Sequence, residues 1–209
     1  MNRFYEETLP EGYQEAFVVD ANDKDSYSKL TTATLLINTV LFVVIFSSFV
    51  KTGITEITGG FSVIKIVGLL AAYMIYVVLH ELTHGVVYKL LTKQKLTFGF
   101  KPPVAYCGVP EIYVYRITAL LSLLAPLTVF SILFILAFFL ANNAFTRLMI
   151  LILLVLHLSG CVGDLYNIWL LLTRFKNPAT LRQDTGPKQI YYTKKNNFRQ
   201  EVQHEFHSD

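Results

Sequence analysis

Two histidines and a glutamate lie close together in one apolar stretch of the chain. The stretch reads YVVLHELTHGVVYKLL and contains His80, Glu81 and His84. On a helix, residues four apart share one face about a turn apart, so both imidazoles can bind the same zinc ion. Glu81 is offset by about 100° and would reach a water molecule rather than the metal itself. This spacing indicates hydrolytic zinc chemistry.

A zinc site that performs chemistry needs a third protein ligand and one open position. A second apolar stretch, LVLHLSGCVGDLYNIW, offers His157, Cys161 and Asp164 at i, i+4 and i+7 on one helical face. We predict Asp164 as the third ligand, with Cys161 as the next candidate. His157 and Asn167 are candidates for contacts with a substrate or a transition state.

Depth along the helices favours Asp164 over its neighbours. Lys65 begins the first stretch, and Leu82, at the centre of the motif, lies 17 residues further on. Arg147 begins the second stretch, and Asp164 also lies 17 residues further on. At ~1.5 Å per residue both positions lie about 26 Å along their helices, and His157 lies about 10 Å shallower. The competing interpretation is that Asp164 is a helix-end aspartate that reaches water.

The elements that carry these residues are apolar runs of membrane-spanning length. The chain has 209 residues, of which 53% are hydrophobic and only 16% charged, whereas soluble domains are about 25% charged. Crossing a hydrocarbon core takes about 20 residues. This composition excludes a soluble globular domain, a disordered chain and a disulfide scaffold. We predict an all-α polytopic membrane protein with four transmembrane helices, at about 30–50, 64–88, 117–141 and 148–172.

Basic residues are distributed unevenly around the predicted spans. Most of them lie in the loop between the second and third spans and in the C-terminal segment. The positive-inside rule then places that loop and both termini in the cytoplasm. The predicted domains are a cytosolic N-terminal segment (1–29), a four-span membrane core (30–174) and a cytosolic C-terminal tail (175–209). We expect the polar tail to be loosely ordered.

The loop between the second and third spans has an unusual composition. Its sequence, KLTFGFKPPVAYCGVPEIYVYR, alternates phenylalanines around Gly99, contains Pro102-Pro103 and ends in β-branched and aromatic residues. We expect a short β-hairpin or a re-entrant element here, near the membrane surface. A plain apolar connector is the alternative.

The motifs together resemble the site-2 protease type of intramembrane zinc metalloprotease. They resemble more closely a small bacterial family of zincin membrane peptidases, the DUF3267 type. The resemblance covers about Ile64–Leu172 and is carried by HELTH, by the aspartate of SGCVGD two spans later, by the AYC segment of the loop and by Ala125-Pro126. Asp164 is followed by leucine, whereas the larger family usually carries Asp-Gly.

The resemblance implies a role for each residue of the site. His80, His84 and Asp164 would bind one Zn²⁺ per chain, and Glu81 would be the catalytic base. The reaction would be peptide-bond hydrolysis in transmembrane or membrane-associated peptides, by an integral protein of the bacterial plasma membrane. The strand-like segment after the active-site helix, within Thr97–Tyr115, would lie near the substrate.

Two other classes of function are consistent with the same residues. A non-catalytic membrane protein would bind zinc structurally, with Cys161 closing the fourth coordination position. A small transporter would use Glu81, Asp164 and His157 to move protons or ions without hydrolysis. Nucleic-acid binding has little support, because the basic residues lie beside the spans, where orientation and contact with anionic lipids of the bilayer explain them.

Overall fold

The computed structural model describes residues 4–20, 62–101 and 104–195, together with Asp23 and six isolated positions between 32 and 47. Within 4–20, 62–101 and 104–195 the chain forms four helices and six strands. The helices are α1 (Val63–Thr92), α2 (Arg116–Leu140), α3 (Ala144–Gly160) and α4 (Val162–Thr173). The strands are β1 (Tyr5–Glu6), β2 (Tyr13–Asp20), β3 (Thr97–Lys101), β4 (Val104–Tyr115), β5 (Leu181–Asp184) and β6 (Lys188–Lys194).

Local capping interactions define the ends of the helices. At the start of α1 the Ser62 hydroxyl accepts a hydrogen bond from the Lys65 N–H at 3.4 Å. At the start of α3 the Asn143 side chain accepts one from the Thr146 N–H at 2.8 Å. Such caps satisfy amide groups that have no partner inside the helix. α1 ends at Lys93, whose left-handed φ of 59° stops the helix.

Two of the helices are long and apolar enough to cross a membrane. They are α1 and α2, which correspond to the predicted spans 64–88 and 117–141. The fourth predicted span is broken at Cys161, where α3 and α4 meet at an angle of 45°, and the pair makes a third span if it is counted as one. The predicted first span, 30–50, lies outside the described residues apart from the isolated positions. Many large apolar side chains of α1 and α2 are exposed, as lipid-facing surfaces would be.

The six strands form one antiparallel sheet. Their order is β1-β4-β5-β6-β2, and β3 pairs with β4 off this path. Tyr5 lies opposite Val114, and Tyr13 lies opposite Lys194. The sheet therefore joins the N-terminal segment, the loop between α1 and α2, and the segment that follows α4.

The prediction of an all-α protein is wrong. The hairpin expected after α1 is one part of a larger sheet, and the C-terminal segment expected to be loosely ordered supplies β5 and β6. Strands such as Leu181–Asp184 are too short to show an alternating pattern. Their stability comes from cross-strand neighbours that are distant in sequence rather than from intrinsic preference. Local sequence patterns therefore could not reveal them.

The main hydrophobic core lies where this sheet packs against the helices. It combines buried side chains of β4, α2 and α4 with Phe175 and Tyr191, whose rings stack with centroids 4.7 Å apart. The N-terminal segment is attached by the Phe4 carbonyl, which accepts hydrogen bonds from the Tyr115 N–H at 3.0 Å and the Thr118 hydroxyl at 2.7 Å. The sheet thus holds the ends of the helices that carry the predicted site residues.

Candidate metal centre

His80 and His84 lie one turn apart on α1 and face the same way. Their ring centroids are 5.0 Å apart. Each residue is only 7% exposed. The four-residue spacing on a helix is enough to produce this arrangement. α1 therefore presents two imidazoles to one buried region.

Asp164, in the first turn of α4, lies opposite the two histidines. Its Oδ2 atom is 3.3 Å from His80 Nε2 and 3.5 Å from His84 Nε2. This oxygen is buried and, within the described part of the chain, accepts no hydrogen bond. A buried carboxylate oxygen costs free energy unless it is paired or bound to a metal. The structure therefore brings together the three residues that the sequence predicts as ligands.

The distances from Asp164 Oδ2 to the two histidines fit a tetrahedral zinc site. Zinc binds imidazole nitrogen at about 2.0–2.1 Å and carboxylate oxygen at about 2.0–2.2 Å. Tetrahedral geometry then separates neighbouring ligand atoms by about 3.3–3.5 Å. The distances from Asp164 Oδ2 to the two Nε2 atoms have these values. Two imidazoles and one carboxylate also form the donor set of a known class of catalytic zinc site.

The second ring nitrogen of each histidine has a hydrogen-bond partner. His84 Nδ1 lies 2.9 Å from the Ser122 carbonyl oxygen. A carbonyl only accepts, so Nδ1 donates and Nε2 keeps its lone pair for a metal. His80 Nδ1 lies 3.0 Å from the Tyr76 hydroxyl. Metal-binding histidines are normally held in this way.

Glu81 lies where α1 contacts the β3–β4 hairpin. The backbone N–H of Cys107 lies within hydrogen-bonding reach of its carboxylate, and the residue is partly buried. Gly85, four residues further on, allows this close contact. A Cβ at Gly85 would lie 2.9 Å from Phe98 Cζ and 3.2 Å from Cys107 Sγ. The glutamate is therefore held between the active-site helix and β4.

His157 and Cys161 are completely buried beside the three predicted ligands. His157 Nδ1 lies 2.8 Å from the Tyr76 hydroxyl and 3.6 Å from Cys161 Sγ. With His80 they form a second group whose ligand atoms lie within 4.8 Å of one another. The depth estimate places His157 shallower than the ligands, and its ring lies beside Tyr76, one turn before His80. The ring centroids of His157 and His80 are 6.4 Å apart.

Asn167 lies behind Asp164, one turn further along α4. Its side-chain N–H donates to the Gly163 carbonyl at 2.8 Å, and its oxygen accepts from the Tyr191 hydroxyl at 2.6 Å. It is 4% exposed. The contact of Asn167 or His157 with a substrate stays a prediction.

Four further residues of this region were not singled out from the sequence: Tyr76, Tyr88, Arg182 and Asp184. The tyrosines lie one turn before and one turn after the two histidines on α1. Their position on the same helical face could have predicted from the sequence that they lie near the site. Tyr88 donates to Asp184 Oδ2 at 2.7 Å, and Arg182 Nη2 lies 3.3 Å from the same oxygen. Arg182 and Asp184 come from the polar segment after α4, where no local pattern marks them.

Arg182 is a buried cation, 1% exposed. Burial alone would lower its pKa, but the Asp184 carboxylate, with help from Tyr88, holds that pKa above its ordinary value. Its positive charge also acts on Asp164. Burial, with smaller contributions from nearby acidic groups, raises the pKa of the Cys107 thiol to about 12. Cys107 is therefore protonated at neutral pH, unlike a metal-binding thiolate.

Comparison with known proteins identifies a family for this chain. The family model DUF3267, described as "Putative zincin peptidase", matches residues 73–178, about half of the chain. The matched range contains His80, Glu81, His84 and Asp164. No curated protein and no solved structure matches the chain at a significant level. The match confirms the resemblance to the DUF3267 type, and the chain belongs to the DUF3267 family.

Proposed function

We propose that this protein is a zinc-dependent intramembrane peptidase that hydrolyses peptide bonds of membrane-embedded substrates. The observation that carries the proposal is the placement of three ligand atoms around one buried point, with His80 and His84 at tetrahedral distances from Asp164. These residues would hold one Zn²⁺ per chain and leave one coordination position open, as catalytic zinc sites do. Membership of a zincin family supports the peptidase assignment.

Glu81 would act as the general base of the reaction. Zinc in such a site supplies a Lewis acid that polarises the scissile carbonyl and lowers the pKa of a water molecule. Glu81 would take the proton of the attacking water and return it to the leaving amine. The Cys107 N–H, which lies within hydrogen-bonding reach, would keep the carboxylate in place during these transfers.

The membrane setting is supported by the helices that form the site. His80 and His84 lie on α1, which is long and apolar enough to span a membrane. We place the protein in the bacterial plasma membrane, with the sheet and both termini in the cytoplasm. The basic residues of the loop and of the C-terminal segment support this orientation.

Strand β3 offers a means of presenting a substrate. A transmembrane helix hides its carbonyls in hydrogen bonds, so a segment of it must be extended before hydrolysis. β3 pairs with β4 alone among the described strands, and its Phe98 and Phe100 are 49% and 64% exposed. We propose that an extended substrate segment adds to this strand, because main-chain pairing binds peptides with little regard for their sequence.

The variant Glu81→Gln tests the proposal. In lipid nanodiscs it should still bind one zinc ion per chain, because the carboxylate is not a ligand. Its cleavage of single-span test peptides, followed by mass spectrometry of new termini, should fall by about 10²–10⁴ because general-base catalysis is lost. Glu111→Gln, on the exposed face of β4, is the matched control and should cleave normally. Equal cleavage by Glu81→Gln, or cleavage that persists in a chelator, would contradict the proposal.

A further inference from the structure

Both histidines of the site are oriented by one neighbouring helix. We propose that α2 fixes which nitrogen of each histidine faces the metal, with Pro126, Tyr76 and His157 as the positioning residues. Each histidine is connected, directly or through other side chains, to a backbone carbonyl of α2. The inference rests on the proposed function, because it assumes that the two Nε2 atoms face a zinc ion.

His84 is held by a carbonyl that a proline makes available. In a regular helix the carbonyl of Ser122 would accept the N–H of the residue four positions later. That residue is Pro126, inside α2, which has no N–H and whose ring pushes the carbonyl away from the helix axis. The Ser122 carbonyl accepts from His84 Nδ1 at 2.9 Å instead. His84 Nε2 is thereby left facing Asp164 at 3.5 Å.

His80 is held through a chain of two side chains. Its Nδ1 lies 3.0 Å from the Tyr76 hydroxyl, which lies 2.8 Å from His157 Nδ1. On the far side of that ring, Nε2 lies 3.2 Å from the Ser131 hydroxyl of α2. The backbone carbonyl of Leu127, one turn earlier on α2, also lies within hydrogen-bonding reach of the ring.

The carbonyl at the end of this chain sets the direction of every hydrogen bond in it. A carbonyl cannot donate, and His157 Nδ1 already faces Tyr76, so His157 donates to α2 through Nε2. Its Nδ1 then accepts a hydrogen bond from the Tyr76 hydroxyl, and the Tyr76 oxygen accepts one from the His80 Nδ1–H. A neutral His80 with its proton on Nδ1 has an unprotonated Nε2. That nitrogen is the one 3.3 Å from Asp164 Oδ2.

A second metal site in the same region fits the geometry less well. His80, His157 and Cys161 have ligand atoms within 4.8 Å of one another. The Tyr76 hydroxyl, however, lies at hydrogen-bond distance from both imidazoles. The chain of hydrogen bonds already satisfies these buried polar atoms, as burial requires. We therefore assign the group to orientation of His80.

The variant Pro126→Ala tests the first connection. It restores an N–H that competes with His84 for the Ser122 carbonyl. The zinc affinity of this variant should fall by about 10-fold or more, as it does when other hydrogen-bond partners of metal ligands are removed. The measurement is a zinc titration against a competing dye, with full-length, chelator-stripped protein in nanodiscs. The melting temperature of the metal-free protein should stay equal or rise, because alanine suits a helix better. Pro178→Ala, outside the helices, is the control. Unchanged zinc affinity in Pro126→Ala would overturn the proposal.

Substitutions of His157 test the second connection. His157→Leu removes the acceptor for Tyr76 and should weaken zinc binding by about 10-fold. His157→Asn has the same number and branching of side-chain heavy atoms as leucine and places an acceptor oxygen near the position of Nδ1, so it should restore most of the affinity. Tyr76→Phe should resemble the leucine variant. Phe130→Leu, which disturbs the ring packing on Tyr76 and His157 but not the hydrogen bonds, should bind zinc normally. Equal affinities for the asparagine and leucine variants would overturn the proposal.

Absence of the zinc site on which the proposed function depends would give a different result. In that case the wild-type protein and His80→Ala would titrate alike, with no zinc bound at this site. A fall from two bound zinc ions to one in Cys161→Ser would establish a second metal site and overturn the orientation chain. One bound ion in both wild type and Cys161→Ser supports the proposal.

Discussion

At the scale of residues, the site is a small polar cluster inside apolar helices. Such groups cost free energy in a membrane unless they are paired, hydrogen-bonded or bound to a metal. Both Nδ1 atoms of His80 and His84 have a protein partner, whereas Asp164 Oδ2 accepts no hydrogen bond within the described residues. The unsatisfied oxygen and the two Nε2 atoms face one another, which leaves a cation as the group that would complete the cluster.

Replacement of Asp164 by asparagine tests its role as the third ligand. Asparagine keeps the size of the side chain but removes the charge that attracts zinc. The zinc content of purified protein, measured by elemental analysis, should fall from about one ion per chain to well below that value, because catalytic zinc sites need three protein ligands. Cys161→Ser should retain its zinc. The opposite result, with zinc lost only from Cys161→Ser, would make Cys161 the ligand.

The residues of the site differ in how far the sequence predicts them. His80 and His84 follow from helical spacing, and comparison of depths selects Asp164 from the second stretch. These arguments need only the geometry of single helices. The partner of Tyr76, by contrast, is His157, 81 residues away. Contacts of this kind depend on how α1, α2 and α3 pack, which no local pattern contains.

At the scale of elements, the active-site helix and the β3–β4 hairpin form one unit. The hairpin reaches α1 at Gly85 and places the Cys107 N–H on Glu81. The break between α3 and α4 also shapes the site. α4 begins after the 45° bend at Cys161, and its first turn carries Asp164 towards α1. The sequence predicted a continuous span here, since helix breaks without proline leave no strong signal in an apolar run.

Enlargement of Gly85 tests the contact between α1 and the hairpin. An alanine methyl group there would lie 2.9 Å from Phe98 Cζ and 3.2 Å from Cys107 Sγ, so these hairpin side chains must shift. We expect Gly85→Ala to reduce peptide cleavage at least about 10-fold, because a displacement of ~1 Å near a catalytic group can cost 10²-fold. Zinc content should stay near one ion per chain, because the ligands do not depend on the hairpin.

Gly68 provides the matched control on the same helix. A Cβ at Gly68 would meet no atom within 4 Å, so Gly68→Ala should cleave test peptides at the wild-type rate. Equal cleavage rates for the two alanine variants would show that close packing at Gly85 does not position the glutamate.

At the scale of the whole molecule, the sheet connects both ligand-bearing helices to the C-terminal segment. Tyr88 of α1 is bound to Asp184 of β5, and Asn167 of α4 is bound to Tyr191 of β6. Both strands lie beyond the range matched by the family model, which ends at residue 178. This part of the chain looks like a polar tail in the sequence, because its pairing with β2 and β4 joins it to strands that are distant in sequence. Its strands nevertheless complete the packing around the candidate metal centre.

The contribution of the Arg182–Asp184 ion pair to the stability of the protein can be measured from melting temperatures. Asp184→Asn leaves a buried guanidinium without its carboxylate, and breaking a buried pair costs about 3–5 kcal/mol. For a chain of this size that corresponds to a melting temperature lower by roughly 6–20 °C. Glu11→Gln, which changes an exposed carboxylate in the N-terminal segment, should leave the melting temperature unchanged.

The double variant Arg182→Met with Asp184→Leu removes both charges and should recover much of the loss in melting temperature, because apolar replacements of buried pairs are often well tolerated. If the double variant melts at a lower temperature than Asp184→Asn, the ion pair itself stabilises the contact between sheet and helices. The cost in Asp184→Asn would then not come from an unpaired buried guanidinium.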